Sequence, residues 1–283
     1  MLLNGVRIAS ALSALLICFF TGNFDSLHWL WVLPVSYAVT YVILAALGFG
    51  FLILICSQVD LSVPQEHDSP FYRKALNLYA DAALGLLKTR LHTEGLEKIP
   101  TQGRFMVVCN HMDIMDPVVL TKYFKHSQLA FISKRENADM FIVGKMMHKT
   151  MCQMINRDNN REGLKTILNC IRLLKEDEAS IAVFPEGYIS DDHRMLHFRS
   201  GVFKIATKTQ VPIVVCTLDN TQSILPSAAH LKPVDVKFHV LDVIPPQRYM
   251  DLSTTEIAEK IYDMMLSDLG PDHAPLEECA KAQ

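Results

Sequence analysis

The sequence predicts an α/β domain with a largely parallel sheet flanked by helices, preceded by an N-terminal membrane helix or helical hairpin. Two observations carry this prediction. Residues 1–57 contain only two charged side chains, Arg7 and Asp25, although the 283-residue chain carries 27 Lys and Arg and 30 Asp and Glu. After Pro100, short apolar runs rich in β-branched residues alternate with helix-like stretches, a pattern typical of α/β domains.

Composition excludes two broad classes of protein. A chain that is 50% hydrophobic with a net charge of −3 is neither intrinsically disordered nor surrounded by the basic field of a nucleic-acid-binding protein. The seven cysteines are widely spaced and form no CxxC pair. The cysteine spacing predicts reduced, mostly buried thiols in a cytosol-facing domain. The net charge predicts no nucleic-acid partner.

Residues 1–57 are predicted to form a membrane anchor of one or two helices. The segment Leu27–Ser57 has no formal charge and exceeds the roughly 20 helical residues that cross a hydrocarbon core. It could instead lie in the membrane interface. The segment Val6–Phe20 fits a second span, an interfacial helix or a signal-peptide core. We favour a helical hairpin, because Arg7, at the start of this segment, is the only basic residue in or before it and no convincing cleavage site follows.

The distribution of basic residues predicts the orientation of this anchor. Residues 21–28 contain no Lys or Arg, whereas four basic residues follow the long apolar segment: Arg73, Lys74, Lys88 and Arg90. Since basic residues are enriched on the cytoplasmic side of membranes, we expect the large domain to face the cytoplasm.

Residues 58–90 are predicted to be a polar linker followed by an amphipathic helix. From Phe71 to Arg90, apolar residues recur at helical spacing, at Phe71, Ala75, Leu78, Ala82 and Leu86. This helix should pack on the main domain. The alternative is a helix that lies on the membrane surface.

Residues 91–270 are predicted to be the catalytic domain, and residues 271–283 a polar tail. The predicted strands are Phe105–Cys109, Leu129–Ile132, Ile181–Phe184, Val211–Cys216 and Val236–Val243. The predicted helices lie around Pro117–Phe124, Ala138–His148, Gly163–Lys175, Val202–Lys208 and Thr255–Leu266. Ligands of such sheets bind where strands end and helices begin, so residues that directly follow strands are the candidates for function.

Directly after the first of these strands come Asn110, His111, Asp113 and Asp116. A histidine and an aspartate five residues apart can form a pair in which the carboxylate orients the imidazole and the imidazole accepts a proton. The pattern equally fits an aspartate that caps the helix beginning near Pro117, with either Asp116 or Asp113 as the N-cap. A metal site of His111, Asp113 and Asp116 is a weaker alternative.

A second motif follows another predicted strand. Pro185 and Gly187 predict a turn that presents Glu186 at the end of the strand. Taken alone, this Pro-Glu-Gly segment could be an ordinary loop. His193 and His197 lie four residues apart, but the surrounding sequence is typical of a loop and provides little support for a metal site.

Together with two further motifs, these residues resemble the lysophospholipid acyltransferase family, best known for 1-acylglycerol-3-phosphate acyltransferases. Four motifs occur in the family's order: Asn110-His111 to Asp116, an arginine motif with Arg157 and Arg161, Phe184-Pro185-Glu186-Gly187, and Val211-Pro212-Ile213-Val214. The similarity extends from about Leu91 to Ile244.

The resemblance implies a role for each matching residue. His111 would be the general base that deprotonates the free hydroxyl of a lysophospholipid, and Asp116 would orient it. Glu186 is counted with them as a catalytic candidate and, with Gly187, would belong to the pocket for the acceptor or the reacting thioester. Arg157 would contribute to a phosphate site, and Asn110, Gly187 and Arg199 are further substrate-binding candidates. The motif Val211–Val214 would line the acyl or sheet-end region.

Two departures from the family pattern concern the acceptor. Tyr188-Ile189 follows the third motif where the family usually has Thr-Arg, so a phosphate-binding arginine is missing there. Arg194 or Arg199 could replace it, or the acceptor could be a lysolipid with a different headgroup. Asp113 replaces the usual serine of the first motif and adds a carboxylate beside His111.

The predicted function is therefore transfer of a fatty acyl chain from acyl-CoA or acyl carrier protein to a lysophospholipid such as lysophosphatidic acid, at a membrane. No metal and no cofactor beyond the thioester co-substrate are expected. Lipid hydrolysis is disfavoured because the sequence contains no GxSxG elbow. A non-catalytic lipid-binding protein remains the main alternative.

Overall fold

The computed structural model describes residues 1–156 and 160–275, which form nine α-helices and seven β-strands. The helices are α1 (Leu2–Phe20), α2 (Trp29–Ser57), α3 (Pro70–Leu86), α4 (Asp116–Tyr123), α5 (Phe141–Lys149), α6 (Asn160–Lys175), α7 (Lys204–Thr209), α8 (Ile224–Ala229) and α9 (Thr254–Leu269). The strands are β1 (Thr89–Glu94), β2 (Met106–Cys109), β3 (Ala130–Lys134), β4 (Gln153–Ile155), β5 (Ile181–Val183), β6 (Ile213–Asp219) and β7 (Val234–Ile244).

The strands form one sheet in the order β1-β7-β6-β2-β5-β3-β4, in which only the β6–β7 pair is antiparallel. The predicted α/β fold with a largely parallel sheet is thus confirmed. The sequence analysis did not predict strands β1 and β4. The sequence of β1 is mostly polar, and β4 has only three residues, so neither shows the apolar run of a buried strand.

The central strands are buried on both faces of the sheet. Met106 and Val108 of β2 belong to an apolar cluster shared with α6, α7 and α9. Val107 and Cys109 point the other way and pack with α3, α4 and α8. Burial on both faces explains why these strands are continuous apolar runs rather than alternating ones.

Helices α1 and α2 pack against each other as a hairpin. The buried residues of α1 are the small side chains Ser10, Ala14 and Cys18, which allow close approach of the two helices. The Thr40 hydroxyl of α2 donates to the Ser10 carbonyl at 3.4 Å. Both helices are long and apolar enough to cross a membrane by length and composition, which suggests membrane association.

Helix α3 connects the hairpin to the main domain, and its buried face differs from the predicted one. Arg73, which is not one of the predicted apolar positions, is buried, and its guanidinium binds Asp68 and the carbonyls of Leu129 and Thr150. Phe71, expected on the apolar side, is 54% exposed. The predicted face is confirmed at Ala75, which is buried, and wrong at Phe71, because α3 contacts α1 and α5 as well as α4 and no single apolar stripe defines its buried side.

Candidate active site

The imidazole of His111 follows β2 and is oriented by a buried carboxylate. Its Nδ1 lies 2.8 Å from Oδ2 of Asp116, a fully buried side chain. The side chain of His111 is itself 17% exposed. Because Nδ1 faces Asp116, a proton on Nδ1 is held there and Nε2 is left as the basic nitrogen.

Asp116 accepts four hydrogen bonds. Oδ2 receives the backbone N–H groups of Met112 (2.7 Å) and Asp113 (2.9 Å) in addition to His111, and Oδ1 receives the hydroxyl of Thr221 (2.5 Å). The prediction that Asp116 or Asp113 caps α4 was wrong. The helix begins at Asp116 with Met115 as its N-cap, and the Asp116 carboxylate is turned back to the preceding loop.

Glu186 links the two motifs through the main chain. Its Oε1 accepts the N–H of His111 and its Oε2 accepts the N–H of Leu196, both at 2.7 Å. The side chain is 1% exposed, and burial raises the pKa of Glu186 to about 8, with the charge of Asp116 adding to the rise against the two N–H bonds. Glu186 therefore positions His111 and the loop that carries Leu196.

Two aromatic rings support the imidazole. The ring of Phe184 stacks on His111 with centroids 4.1 Å apart, and Phe131 of β3 lies parallel to Phe184 at 6.4 Å. This stacking leaves the imidazole little freedom to rotate away from Asp116.

Asn110 is a buried link between strands. Its amide donates to the Leu218 carbonyl and its oxygen accepts the Leu218 N–H, both at 2.8 Å. The side chain is 2% exposed. In this position Asn110 ties the end of β2 to β6 rather than reaching toward a substrate.

Arg199 lies over the turn that contains Glu186. Its backbone N–H donates to the Pro185 carbonyl at 2.8 Å, and its guanidinium carbon lies 5.2 Å from the ring centroid of Tyr188. Gly187 has φ +80°, and a Cβ there would meet Nε of Arg199 at 3.1 Å, so glycine both permits the turn and leaves room for the arginine.

Arg194 is engaged elsewhere. Its Nη1 donates to the Ala274 carbonyl at 3.0 Å, and its Nε lies 3.5 Å from Asp192. Of the two arginines considered as replacements for the missing one, Arg199 is thus the one beside the motif turn, and Arg194 holds the loop to the segment after α9.

The acyltransferase family model matches residues 90–219. This chain is 33% identical over 181 residues to a 1-acyl-sn-glycerol-3-phosphate acyltransferase of Chlamydomonas reinhardtii, covering 63% of this chain and 52% of that protein. It is 28% identical over 232 residues to a chloroplastic enzyme of the same name from Brassica napus, covering 81% and 63% respectively. Residues 90–219 are an acyltransferase-family domain.

The solved structures agree on the fold. The crystal structure of the 1-acyl-sn-glycerophosphate (LPA) acyltransferase PlsC from Thermotoga maritima matches with a TM-score of 0.59 and 22% identity, over 83% of this chain and 88% of that one. This match shows the fold alone, whereas the family model and the curated relatives confirm the resemblance to the lysophospholipid acyltransferase family. The chain spans about half the length of the first curated relatives it matches, from 39% to 63%.

The acyltransferase domain brings some predicted site residues together and not others. His111, Asp116 and Glu186 form one connected cluster, with Gly187 and Arg199 beside it. Arg157 lies outside the described residues. The motif Val211–Val214 begins β6, and the Pro212 carbonyl accepts the N–H of Met106 at the start of β2. Since β2 and β6 are parallel, this motif lies at the end of the sheet opposite His111, which fits the sheet-end position among the two expected for it.

Sequence reasoning missed Thr221 and the stacking of Phe184 on His111. Thr221 lies 105 positions after Asp116, and no spacing rule connects a hydroxyl to so distant a carboxylate. Phe184 belongs to a motif that the sequence analysis identified. An aromatic residue at the end of the strand beside the one that carries His111 was the signal that could have predicted this stacking. Within residues 1–156 and 160–275, no three His, Cys, Asp or Glu side chains are grouped to hold a metal ion.

Proposed function

We propose that this protein is a membrane-associated acyltransferase that moves a fatty acyl chain from a thioester donor to the free hydroxyl of a lysophospholipid. Lysophosphatidic acid would give phosphatidic acid. The observation that carries the proposal is the partly exposed imidazole of His111, held at Nδ1 by a fully buried carboxylate. The name shared by the curated relatives, 1-acyl-sn-glycerol-3-phosphate acyltransferase, supports the substrate class.

The geometry supports direct transfer. Nε2 of His111 takes the proton of the acceptor hydroxyl while that oxygen attacks the thioester carbonyl carbon. The tetrahedral intermediate collapses with cleavage of the C–S bond, and the imidazolium returns the proton to the departing thiolate. Asp116 stabilises the imidazolium between these two steps. The reaction as proposed needs no cofactor beyond the acyl-CoA or acyl carrier protein that brings the thioester.

An acyl-enzyme intermediate has no support in the described part of the chain. No serine, threonine or cysteine side chain there is hydrogen-bonded to His111. The nearest thiol along the chain, Cys109, is fully buried, and burial raises the pKa of its thiol well above its ordinary value. A buried, protonated thiol is a poor nucleophile, so the acceptor's own hydroxyl is the attacking group.

The hairpin of α1 and α2 supports the membrane assignment. We propose that it holds the catalytic domain at the cytoplasmic face, where the lipid acceptor lies in the bilayer and the thioester donor is soluble. Confinement to the same surface raises the effective concentration of the acceptor at the site.

Arg199 is the proposed phosphate ligand in place of the missing arginine. A guanidinium fits phosphate oxygens in a bidentate manner that lysine cannot reproduce. We expect Arg199→Ala to raise KM for lysophosphatidic acid by about tenfold, Arg199→Lys to recover part of the loss, and monoacylglycerol turnover to be unchanged. Steady-state kinetics with both acceptors measure this, with Arg90→Ala as the control. An equal loss with both acceptors would show that Arg199 is structural.

The proposed function is tested by offering the full-length protein in detergent a panel of lysophospholipids with palmitoyl- and oleoyl-CoA, and following thiol release. We expect release that requires a lysolipid, that disappears in His111→Ala, and that persists in His126→Ala, an exposed histidine on the surface. Thiol release without a lysolipid would indicate thioester hydrolysis instead. Lysolipid binding without turnover, with both CoA and acyl carrier protein donors, would indicate a lipid-binding protein.

A further inference from the structure

Helix α6 presents a basic and apolar stripe to solvent. At 100° per residue, six residues fall within a sector of about 100°. They are Arg161, Leu164, Lys165, Leu168, Arg172 and Lys175, and all six are exposed. Between Asn160 and Lys175 this sector contains no acidic residue. We call these six residues the α6 stripe.

The stripe is not part of the core. The opposite side of α6 is buried through Thr166, Cys170, Leu173 and Leu174, which pack on the sheet. Leu164 and Leu168 are 53% and 55% exposed, one helical turn apart. Arg172 pairs with Glu176 at 2.5 Å, but both side chains are about half exposed, and such surface pairs contribute little and exchange readily.

The position of α6 determines what can reach the stripe. The helix leads from β4 to the start of β5, so its N-terminal end lies at the carboxyl edge of the parallel strands, the edge that also carries His111. It packs on the sheet face shared with α7 and α9. Helices α3 and α4 cover the other face, and the hairpin contacts α3 and α5. The stripe and the hairpin therefore lie on opposite faces of the sheet, and they come nearest at the β4 edge, where Lys165 lines a surface pocket with Gln65 of the linker and His148 of α5.

We propose that the α6 stripe is a docking surface for the acyl donor in the form of an acyl carrier protein with an acidic helix. Four cations around two exposed leucines complement an acidic protein surface with a small apolar centre. A soluble protein fits better than the bilayer, because the hairpin lies on the other side of the sheet. A carrier bound there can extend its thioester-bearing arm over the carboxyl edge to His111. This inference rests on the proposed function.

The test is a comparison of donors in one enzyme. Lys165→Glu/Arg172→Glu reverses two charges in the stripe, and Lys232→Glu/Lys260→Glu makes the same charge change at exposed positions elsewhere. We expect the stripe variant to lose about tenfold or more in kcat/KM with palmitoyl-acyl carrier protein and to stay within about twofold with palmitoyl-CoA. The control variant should match the wild type with both donors. Leu164→Ser/Leu168→Ser should give the same donor-specific loss without any change in charge.

Three results would overturn the inference while leaving acyl transfer intact. They are an equal loss with both donors, no loss with either, and a wild type that uses palmitoyl-CoA but neither uses nor binds the carrier protein. If no donor supports turnover, the proposed function fails. Titration with holo-acyl carrier protein then tests the stripe by itself. The Kd for the carrier should rise with salt concentration and should be higher for the charge-reversal variant than for the wild type. Loss of binding to phosphatidylglycerol vesicles in that variant, with carrier binding unchanged, would assign the stripe to the membrane.

Discussion

Asp116→Asn is expected to lower kcat by about 100-fold or more while the protein stays folded. The asparagine oxygen can still accept the imidazole N–H of His111 and the backbone N–H groups of Met112 and Asp113. Its amide nitrogen can donate to Thr221, whose hydroxyl accepts as well as donates. The variant thus keeps the hydrogen-bond geometry and loses the negative charge that stabilises the imidazolium. Steady-state kinetics and thermal unfolding of the same preparation measure the two effects separately.

Asp116→Ala separates charge from structure at this position. It removes the acceptor for two backbone N–H groups and for Thr221, and each unsatisfied buried group costs about 1–3 kcal/mol. We therefore expect Asp116→Ala to lose both activity and stability. Asp251→Asn, at an exposed aspartate, should change neither. Near-normal kcat in Asp116→Asn would contradict the role assigned to the carboxylate charge.

Glu186→Gln is expected to lower kcat by about tenfold or more and to destabilise the fold by about 1–3 kcal/mol. Both carboxyl oxygens of Glu186 accept a backbone N–H, from His111 and from Leu196. A glutamine offers one oxygen and one NH₂ group, so one of the two N–H groups would face another donor. Because Glu186 acts through the main chain of His111, kcat should fall while KM for the lysolipid changes by less than about twofold. Glu259→Gln, at an exposed glutamate on α9, is the control.

The pH dependence of stability gives a second measurement on Glu186. Burial raises its pKa to about 8 from the ordinary 4.5, so between these values the carboxyl is protonated in the folded state and ionised in the unfolded state. Its contribution is fully present below pH 4.5 and is lost as pH rises through 8. We expect the unfolding temperature of the wild type to fall between pH 5 and pH 8, and that of Glu186→Gln to fall less. Equal slopes would show that Glu186 is ionised in the folded protein.

The candidate site was predictable because its parts are local. His111 and Glu186 each follow an apolar strand directly, and the carboxyl ends of parallel strands share one edge of the sheet. The pairing of His111 with Asp116 needs only five residues of chain. Residue types and short spacings were therefore sufficient to bring these three side chains to one place.

The roles of the surrounding residues depended on the path of the whole chain. Sequence motifs assigned Asn110 to the substrate, but its amide is satisfied by Leu218, which is 108 positions away. Thr221 reaches Asp116 across 105 positions. Arg73 is a charged residue on a surface-like helix, yet it is buried where α3 meets the ends of β3 and α5.

The same distinction holds for the fold. Hydrophobic periodicity determined the α/β class and the apolar hairpin segment, because burial on both faces, or in lipid, demands apolar residues from the local sequence. It did not determine strands β1 and β4, the buried face of α3, or the placement of the α6 stripe and the hairpin on opposite faces of the sheet. Those features depend on which elements become neighbours, and contacts between residues far apart in the chain leave no period in the sequence.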